Sequence, residues 1–215
     1  MPAITYAIIG ITVALSLYAW KDQSKLKRWI FNPYSIAHHN QYDRFLTSGF
    51  IHNDYSHLIF NMFTLFFFGP AVESELQTLM PGATGSALYI ALYLIGIIFS
   101  GIPSYIKHKE HAYYNSLGAS GGVSTILFAS ILLIPSLGIY LLFIPVEIPG
   151  WLFAILYMGY SFYASHHGKD NINHDAHLWG ALFGLVFIIL LDIGLGSENI
   201  IGDFMNHVRT NPFNR

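Results

Sequence analysis

Four polar side chains stand in stretches that are otherwise apolar, and together they are the parts of an acyl-transfer site. Ser120 lies in Gly118-Ala119-Ser120-Gly121-Gly122. Glycines beside a serine leave room around the hydroxyl, and a serine at a helix start has free backbone N–H groups nearby, suited to a developing negative charge. His177 belongs to Asp175-Ala176-His177-Leu178-Trp179-Gly180, a run that continues to Gly184. Gly180 and Gly184 form a small-residue stripe close to the face of His177, so this helix can pack tightly on another glycine-bearing helix such as the one opened by Ser120. His57 and Asn61, four apart in HLIFN, share one helical face and can each donate a hydrogen bond into a bundle interior. A serine nucleophile, a histidine base and oxyanion donors are what covalent acyl transfer requires. Asp175 falls on a different face from His177, and no carboxylate occupies a matching position, so the pattern predicts a dyad rather than a triad. Each piece alone also has a plainer reading, since Gly/Ala/Ser runs and buried polar residues commonly hold membrane helices together.

The elements that must position these residues are membrane spans. The 215 residues are 53% hydrophobic, 16% aromatic and 10% charged, with a mean hydropathy of +0.47. A soluble domain of this size could not hide such apolar blocks in one core, and disorder is excluded by the same composition. The net charge of −2, without a basic stripe, argues against nucleic acid. The absence of cysteine rules out disulfides, a thiolate zinc site and a cysteine nucleophile. Apolar blocks run over Ala3–Trp20, His57–Val72, Ser86–Ile106, Ser120–Ile134, Trp151–Ala164 and His177–Ile193. The expected fold is all-α, a polytopic bundle of six transmembrane helices forming a single domain over 1–215. With no Lys or Arg before it and no small-residue cleavage site after it, the first block reads as a span rather than a signal peptide. Ser136–Pro149, broken by Pro145 and Pro149, reads as a loop near the interface.

The connection over 21–56 mixes charges with Trp29, Ile30, Phe31, Tyr34, Phe45, Phe50 and Ile51, and is expected to fold as a loop lying at the membrane interface. Eleven histidines raise a rival, a His-rich metal-binding membrane protein, because His166, His167, His174, Asp175 and His177 gather around one loop. The metalloprotease motif His-Glu-x-x-His is absent; the nearest stretch is His108-Lys109-Glu110-His111. Most of the histidines fall in loops, so no metal ligand is assigned and no cofactor is expected. Loops after odd-numbered spans carry Lys21, Lys25, Lys27, Arg28, Arg44, Lys107, Lys109 and Lys169, against Arg209 and Arg215 on the other side. By the positive-inside rule those loops are cytoplasmic.

Taken in order, YDRFLTSGFIHNDYSH (42–57), HLIFNMFTLFFFGPAVE (57–73), GASG (118–121) and AHLWGALFG (176–184) resemble the rhomboid intramembrane serine proteases. The resemblance covers the core from 42 to 184. It implies a rhomboid-like six-helix core with its serine below the membrane surface in a water-filled cavity. The implied activity is endopeptidase cleavage in or near transmembrane segments of other membrane proteins, with the lipid bilayer as surroundings and no cofactor. By position, Ser120 is implied as nucleophile and His177 as base. His57 and Asn61, with the Ser120 backbone N–H, are implied at the oxyanion, and Gly118 is the motif glycine before the serine. Glu73 falls on the glutamate closing the second span, and Gly121, Gly180 and Gly184 are implied packing glycines. Arg44 matches the arginine of the family's Trp-Arg pair in the interfacial loop, but Asp43 stands at the tryptophan. Many relatives carry an aromatic residue four after the serine, near the histidine; here it is Ser124, which leaves Tyr157 or Tyr160 to orient His177. The resemblance to bacterial members implies the bacterial cytoplasmic membrane and a site opening outward, against the charge rule. Relatives that lack the dyad act as non-catalytic binders, which leaves a membrane scaffold as the alternative.

Overall fold

A computed structural model describes residues 2–140, 146–168, 172–196, 199–211 and 213. Lys169, Arg215 and Pro145 lie outside the described residues. Four helices are long and apolar enough to cross a membrane: α1 (Ala3–Lys21), α5 (Tyr55–Leu79), α6 (Ala83–His108) and α9 (His174–Leu195). Between α5 and α9 in the chain also come α7 (Ser120–Leu133) and α8 (Gly150–His167). The six blocks expected from the sequence are therefore all helical. The second is longer than expected at both ends, and its earlier start is set by Asp54, which caps α5 by accepting from the His57 N–H at 2.9 Å.

Sidedness follows membrane logic. On α5, Leu58, Asn61, Met62, Leu65, Gly69, Val72, Glu73 and Leu76 face inward, while Ile59, Phe60, Phe63, Phe66 and Phe67 face out. The buried set also holds Thr5, Thr12, Ser16, Ser100, Ser104, Thr125 and Ser130, polar groups that lipid would not solvate. Glu73 shows how a carboxylate is kept inside. It accepts from the Ile4 N–H at 3.1 Å, the Thr5 N–H at 2.8 Å and the Thr5 hydroxyl at 2.7 Å, closing the otherwise unpaired first turn of α1.

The centre of the bundle is α7. Gly121 through Leu132 are all buried, and α5, α6 and α9 pack around it. At about 1.5 Å per residue its 14 residues rise about 21 Å, well short of a hydrocarbon layer of about 30 Å, so its ends lie inside the protein.

The connection over 21–54 is folded, as the sequence predicts, and consists of α2 (Gln23–Trp29), α3 (Pro33–His39), α4 (Arg44–Thr47) and a 3-10 turn over Ser48–Phe50. With Asp43 at the tryptophan position of the family's Trp-Arg pair, Asp43 and Arg44 take separate partners. Asp43 faces Arg28, whose two terminal nitrogens donate at 2.7 and 3.1 Å and hold the carboxyl below its usual range. Arg44 turns inward and donates to Gln41 Oε1, Lys27 O and Ile30 O, tying α4 to the end of α2.

Two elements were not expected. Within 136–149, β1 (Gly138–Tyr140) pairs antiparallel with β2 (Glu147–Pro149). After α9, α10 (Ile200–Thr210) turns back on α7 and α9, with Ile200, Ile201 and Phe204 against the core. The Asp192 carboxylate holds the start of α10 by accepting from the Ile200 N–H at 2.9 Å and the Ile201 N–H at 3.2 Å.

Candidate active site

The start of α7 and the start of α9 meet backbone to backbone. A side chain at Gly180 would run into the Gly121 carbonyl, with the Gly121 carbon 3.0 Å and its Cα 3.1 Å from the position of a Cβ. One turn on, a Cβ at Gly184 would meet the Thr125 carbonyl carbon and Cα, each at 3.1 Å. The Thr125 hydroxyl shares its proton between Gly121 O at 3.0 Å and Gly180 O at 2.9 Å, fixing the register of the two helices. This is the glycine stripe the sequence predicts, seated on the helix it was expected to meet. Ser120 immediately precedes Gly121, and His177 lies one turn before Gly180. Ala176, next to His177, brings its carbonyl oxygen within 3.7 Å of the point where a Gly121 Cβ would stand.

The turn into α7 is held from three sides. Gly118 adopts φ +120°, a conformation suited to glycine, and its N–H donates to Ser48 O at 2.9 Å. His57 lies against it, with Nε2 2.6 Å from where a Gly118 Cβ would be, so any side chain here would displace the imidazole. Phe31 and Ser116 exchange backbone hydrogen bonds at 3.0 Å, and the Asn32 amide donates to Ala112 O and Tyr114 O, clamping the interfacial loop to the serine segment. Asn173 caps α9 by accepting from the Ala176 N–H at 3.1 Å. The same side chain accepts from the Ser104 hydroxyl at 3.2 Å and donates to Ser116 Oγ at 3.3 Å, joining α6 and the serine segment to α9.

His52 is a part that sequence reasoning missed. It is fully buried, with Nδ1 3.0 Å from the Ser16 hydroxyl and Nε2 accepting from the Ala119 N–H at 3.2 Å. Its ring meets His57 edge-on at 5.0 Å. Burial pushes its pKa down to about 3, and the neighbouring His57 works in the same direction, so His52 stays a neutral acceptor behind the turn that carries Ser120. No spacing marks it in the sequence, because it lies in the 21–56 connection, outside the helical pair of His57 and Asn61.

His57 and Asn61 share a face as expected, but the Asn61 amide donates to its own helix, at His57 O, 2.9 Å away. Ser120 borders a cavity of about 40 Å³ lined also by Ser48, Ser100, Ser116, Gly118 and Asn173, enough for a water or two. Tyr157 of α8 stacks on His177, with ring centroids 6.3 Å apart and planes 19° from parallel, and its hydroxyl lies 3.1 Å from Ser124 Oγ. Tyr160 instead meets His174 edge-on at 5.7 Å.

The histidines of the rival metal reading go separate ways. His166 and His167 each turn a ring nitrogen to their own helix, at Phe162 O and Tyr163 O, and Asp175 meets Lys107 at 3.5 Å. Among the described residues, no three His, Asp or Glu side chains converge on one point.

Comparison with known proteins places these observations in a family. The model described as the Rhomboid domain matches residues 39–192. Over 146 residues the chain is 32% identical to RHOMBOID-like protein 12, mitochondrial, of Arabidopsis thaliana, covering 63% of this chain and 42% of the relative. It is 33% identical to the Presenilin-associated rhomboid-like protein, mitochondrial, of Rattus norvegicus over 66% of this chain and 36% of the relative, and 31% identical to the human protein of that name over the same shares. The chain thus spans roughly two fifths of the length of these relatives. The relatives bear mitochondrial names and lend no support to the bacterial membrane expected from the resemblance. With the match covering most of the chain and falling on the helices that build the site, this integral membrane protein belongs to the rhomboid family.

Proposed function

We propose that the chain is an intramembrane serine endopeptidase that cleaves peptide bonds in or near transmembrane segments of other membrane proteins. The observation that carries this reading is the backbone contact of α7 with α9 at Gly121/Gly180 and Thr125/Gly184, which sets the turn bearing Ser120 beside the first turn bearing His177.

In this reading the Ser120 hydroxyl attacks the scissile carbonyl while His177 takes its proton. The oxyanion is met by the Ser120 backbone N–H, His57 and Asn61, the last after its amide leaves His57 O. His177 then returns the proton to the departing amine, and water reaching the site through the cavity beside Ser120 hydrolyses the acyl-enzyme. A substrate helix must unwind to present its carbonyl, so segments weakened by glycine or small polar residues are the preferred substrates. Residues 118–121 serve the site through Gly118, which admits His57, and Gly121, which admits Ser100 of α6.

The experiment compares wild type, Ser120→Ala and His177→Ala on a single-span substrate in mild detergent, with and without chelator. Cleavage by wild type that survives chelator and is lost in both variants supports the dyad. Cleavage unchanged in Ser120→Ala overturns it. Failure of a fluorophosphonate to label Ser120 would favour the scaffold reading.

A further inference from the structure

Where the last turns of α6 meet the first turns of α9, a groove of about 350 Å³ opens on the outside of the bundle. Phe99, Pro103 and Trp179 are half-buried in it, Ile102 and Ile106 are exposed along it, and Lys107 stands at its end nearest the close of α6. The same turns of α6 face two ways. Ser100 and Ser104, each one residue on from Phe99 and Pro103, are buried on the inner side. There Ser100 borders the cavity beside Ser120, and the Ser104 hydroxyl donates to Asn173. The groove thus backs the wall of the candidate site without being part of it.

We infer that this groove is a lipid-binding site, holding one acyl chain of an anionic phospholipid whose phosphate sits on the Lys107 ammonium. Length is the first reason. From Phe99 to Lys107 α6 rises about 12 Å at about 1.5 Å per residue, most of the roughly 15 Å that one leaflet of a hydrocarbon layer of about 30 Å supplies. Width is the second. Spread over that length, the volume gives a cross-section of about 30 Å², room for one hydrocarbon chain, whereas a helix with its side chains is about 10–12 Å across. Charge is the third. The Lys107 ammonium carries three protons and turns one to Asp175 at 3.5 Å, and its side chain is 54% exposed, within reach of a phosphate. Lys109 adds a second positive charge just beyond, while the next carboxylate, Glu110, faces His38 at 3.2 Å. A lysine at the end of an apolar slot is placed as snorkelling requires, stem along the chain and charge at the headgroups.

The occupant would lie against both helices at once. Phe99 of α6 and Trp179 of α9 meet with ring centroids 6.3 Å apart, and Phe99 also meets Phe183 at 5.1 Å. A chain seated on that seam adds contacts that an unfilled groove forfeits on one side. It would close the seam from outside, as the hydrogen bond of Ser104 to Asn173 closes it from inside.

The test uses the full chain in phosphatidylcholine nanodiscs doped with phosphatidylglycerol that carries a photoreactive diazirine on one acyl chain. Cross-linked residues are mapped by peptide mass spectrometry. In wild type they should concentrate on Phe99, Ile102, Ile106 and Trp179 over Phe63 and Phe67, which face out from α5. A phosphatidylcholine probe with the same diazirine should label the groove about fivefold less, the weight of one lysine beside an anionic headgroup. Lys107→Ala should bring phosphatidylglycerol down to that level. Ile102→Trp, which fills the groove, should remove labelling there by both probes and leave Phe63 and Phe67 as they were. Labelling in the groove no denser than on α5 overturns the inference, and so does labelling indifferent to Lys107→Ala. Cross-links joining two copies of the chain through these residues would overturn it in favour of a second protomer. The wild-type pattern needs no variant, so a misfolded Ile102→Trp leaves the inference refutable. The readout is binding rather than cleavage, so an inactive wild type overturns the dyad alone and an unlabelled groove overturns the lipid site alone.

Discussion

Replacing Gly180 with alanine adds one methyl group at one of the two closest backbone approaches of α7 and α9. That methyl would stand 3.0 Å from the Gly121 carbonyl carbon and 3.1 Å from its Cα, and nearer still to the oxygen. Ordinary contact begins at 3.4 Å, and the obstacle is backbone with no rotamer to yield, so the helices must part. Clearing the carbons takes a few tenths of an ångström, and clearing the oxygen takes about 1 Å. A misplacement of about 1 Å between reacting groups costs roughly 100-fold in rate, while overpacking of this kind costs about 1–3 kcal/mol of stability. Parting the helices also stretches the Thr125 hydrogen bond to Gly180 O. The expected result for Gly180→Ala is therefore a folded protein whose kcat falls tenfold to 100-fold. The assay pairs cleavage and fluorophosphonate labelling with thermal unfolding in detergent. Two alanine variants calibrate it. Gly184→Ala meets the Thr125 backbone one turn further from Ser120, and should cost comparable stability with a smaller loss of rate. Gly159→Ala, with nothing within 4 Å of its Cβ, should change neither. Full activity in a folded Gly180→Ala would refute the idea that this contact sets the catalytic geometry.

Three further outcomes follow from other contacts. Glu73→Ala takes the acceptor from the Ile4 N–H and the buried Thr5 N–H at the start of α1, with the Thr5 hydroxyl keeping the Tyr89 hydroxyl, and should lower stability by about 2–4 kcal/mol in thermal or denaturant unfolding, with Glu73→Gln losing less. Because His52 is held neutral down to about pH 3 while an unfolded histidine titrates near 6.5, the unfolded chain binds the extra proton between those values. Stability from this group is complete above pH 6.5 and falls with pH, by about 2 kcal/mol at pH 5, and His52→Gln should flatten that part of the profile. Asn173→Ala uncouples Ser104, Ser116 and the start of α9, and should lower kcat with KM little changed when both are measured on one substrate.

Legibility of the site in the sequence followed the range of the interaction. The glycines at 180 and 184 were readable because small residues four apart have one physical use on a membrane helix, and they meet α7 as expected. Ser120 and His177 were readable as residue types too costly to leave in an apolar run. The spacing of His57 and Asn61 predicted a shared face, but not that the Asn61 amide would satisfy itself on His57 O, because that is a rotamer choice inside a packed bundle. The same holds for Arg44, whose place in the loop was readable while its partners, two backbone carbonyls and Gln41, depend on how α2 and α4 meet. The helix α10 was missed because its apolar face is short, and its start is set by Asp192, a residue that reads as an oddity at the end of a span.

By itself the sequence determined that the chain is a helical membrane protein and where its apolar helices run, and it put Ser120, His177, His57 and Asn61 forward as candidates for acyl transfer. Hydropathy, helical periodicity and the cost of burying polar groups are local or compositional, so they survive without coordinates. The tertiary structure decided the partners across helices: Glu73 with the start of α1, His52 with the Ala119 N–H, and Tyr157 with both Ser124 and His177. Those pairs join residues tens of positions apart, and their geometry comes from how closely two helices approach, which the glycines of α7 and α9 permit but no one-dimensional pattern specifies.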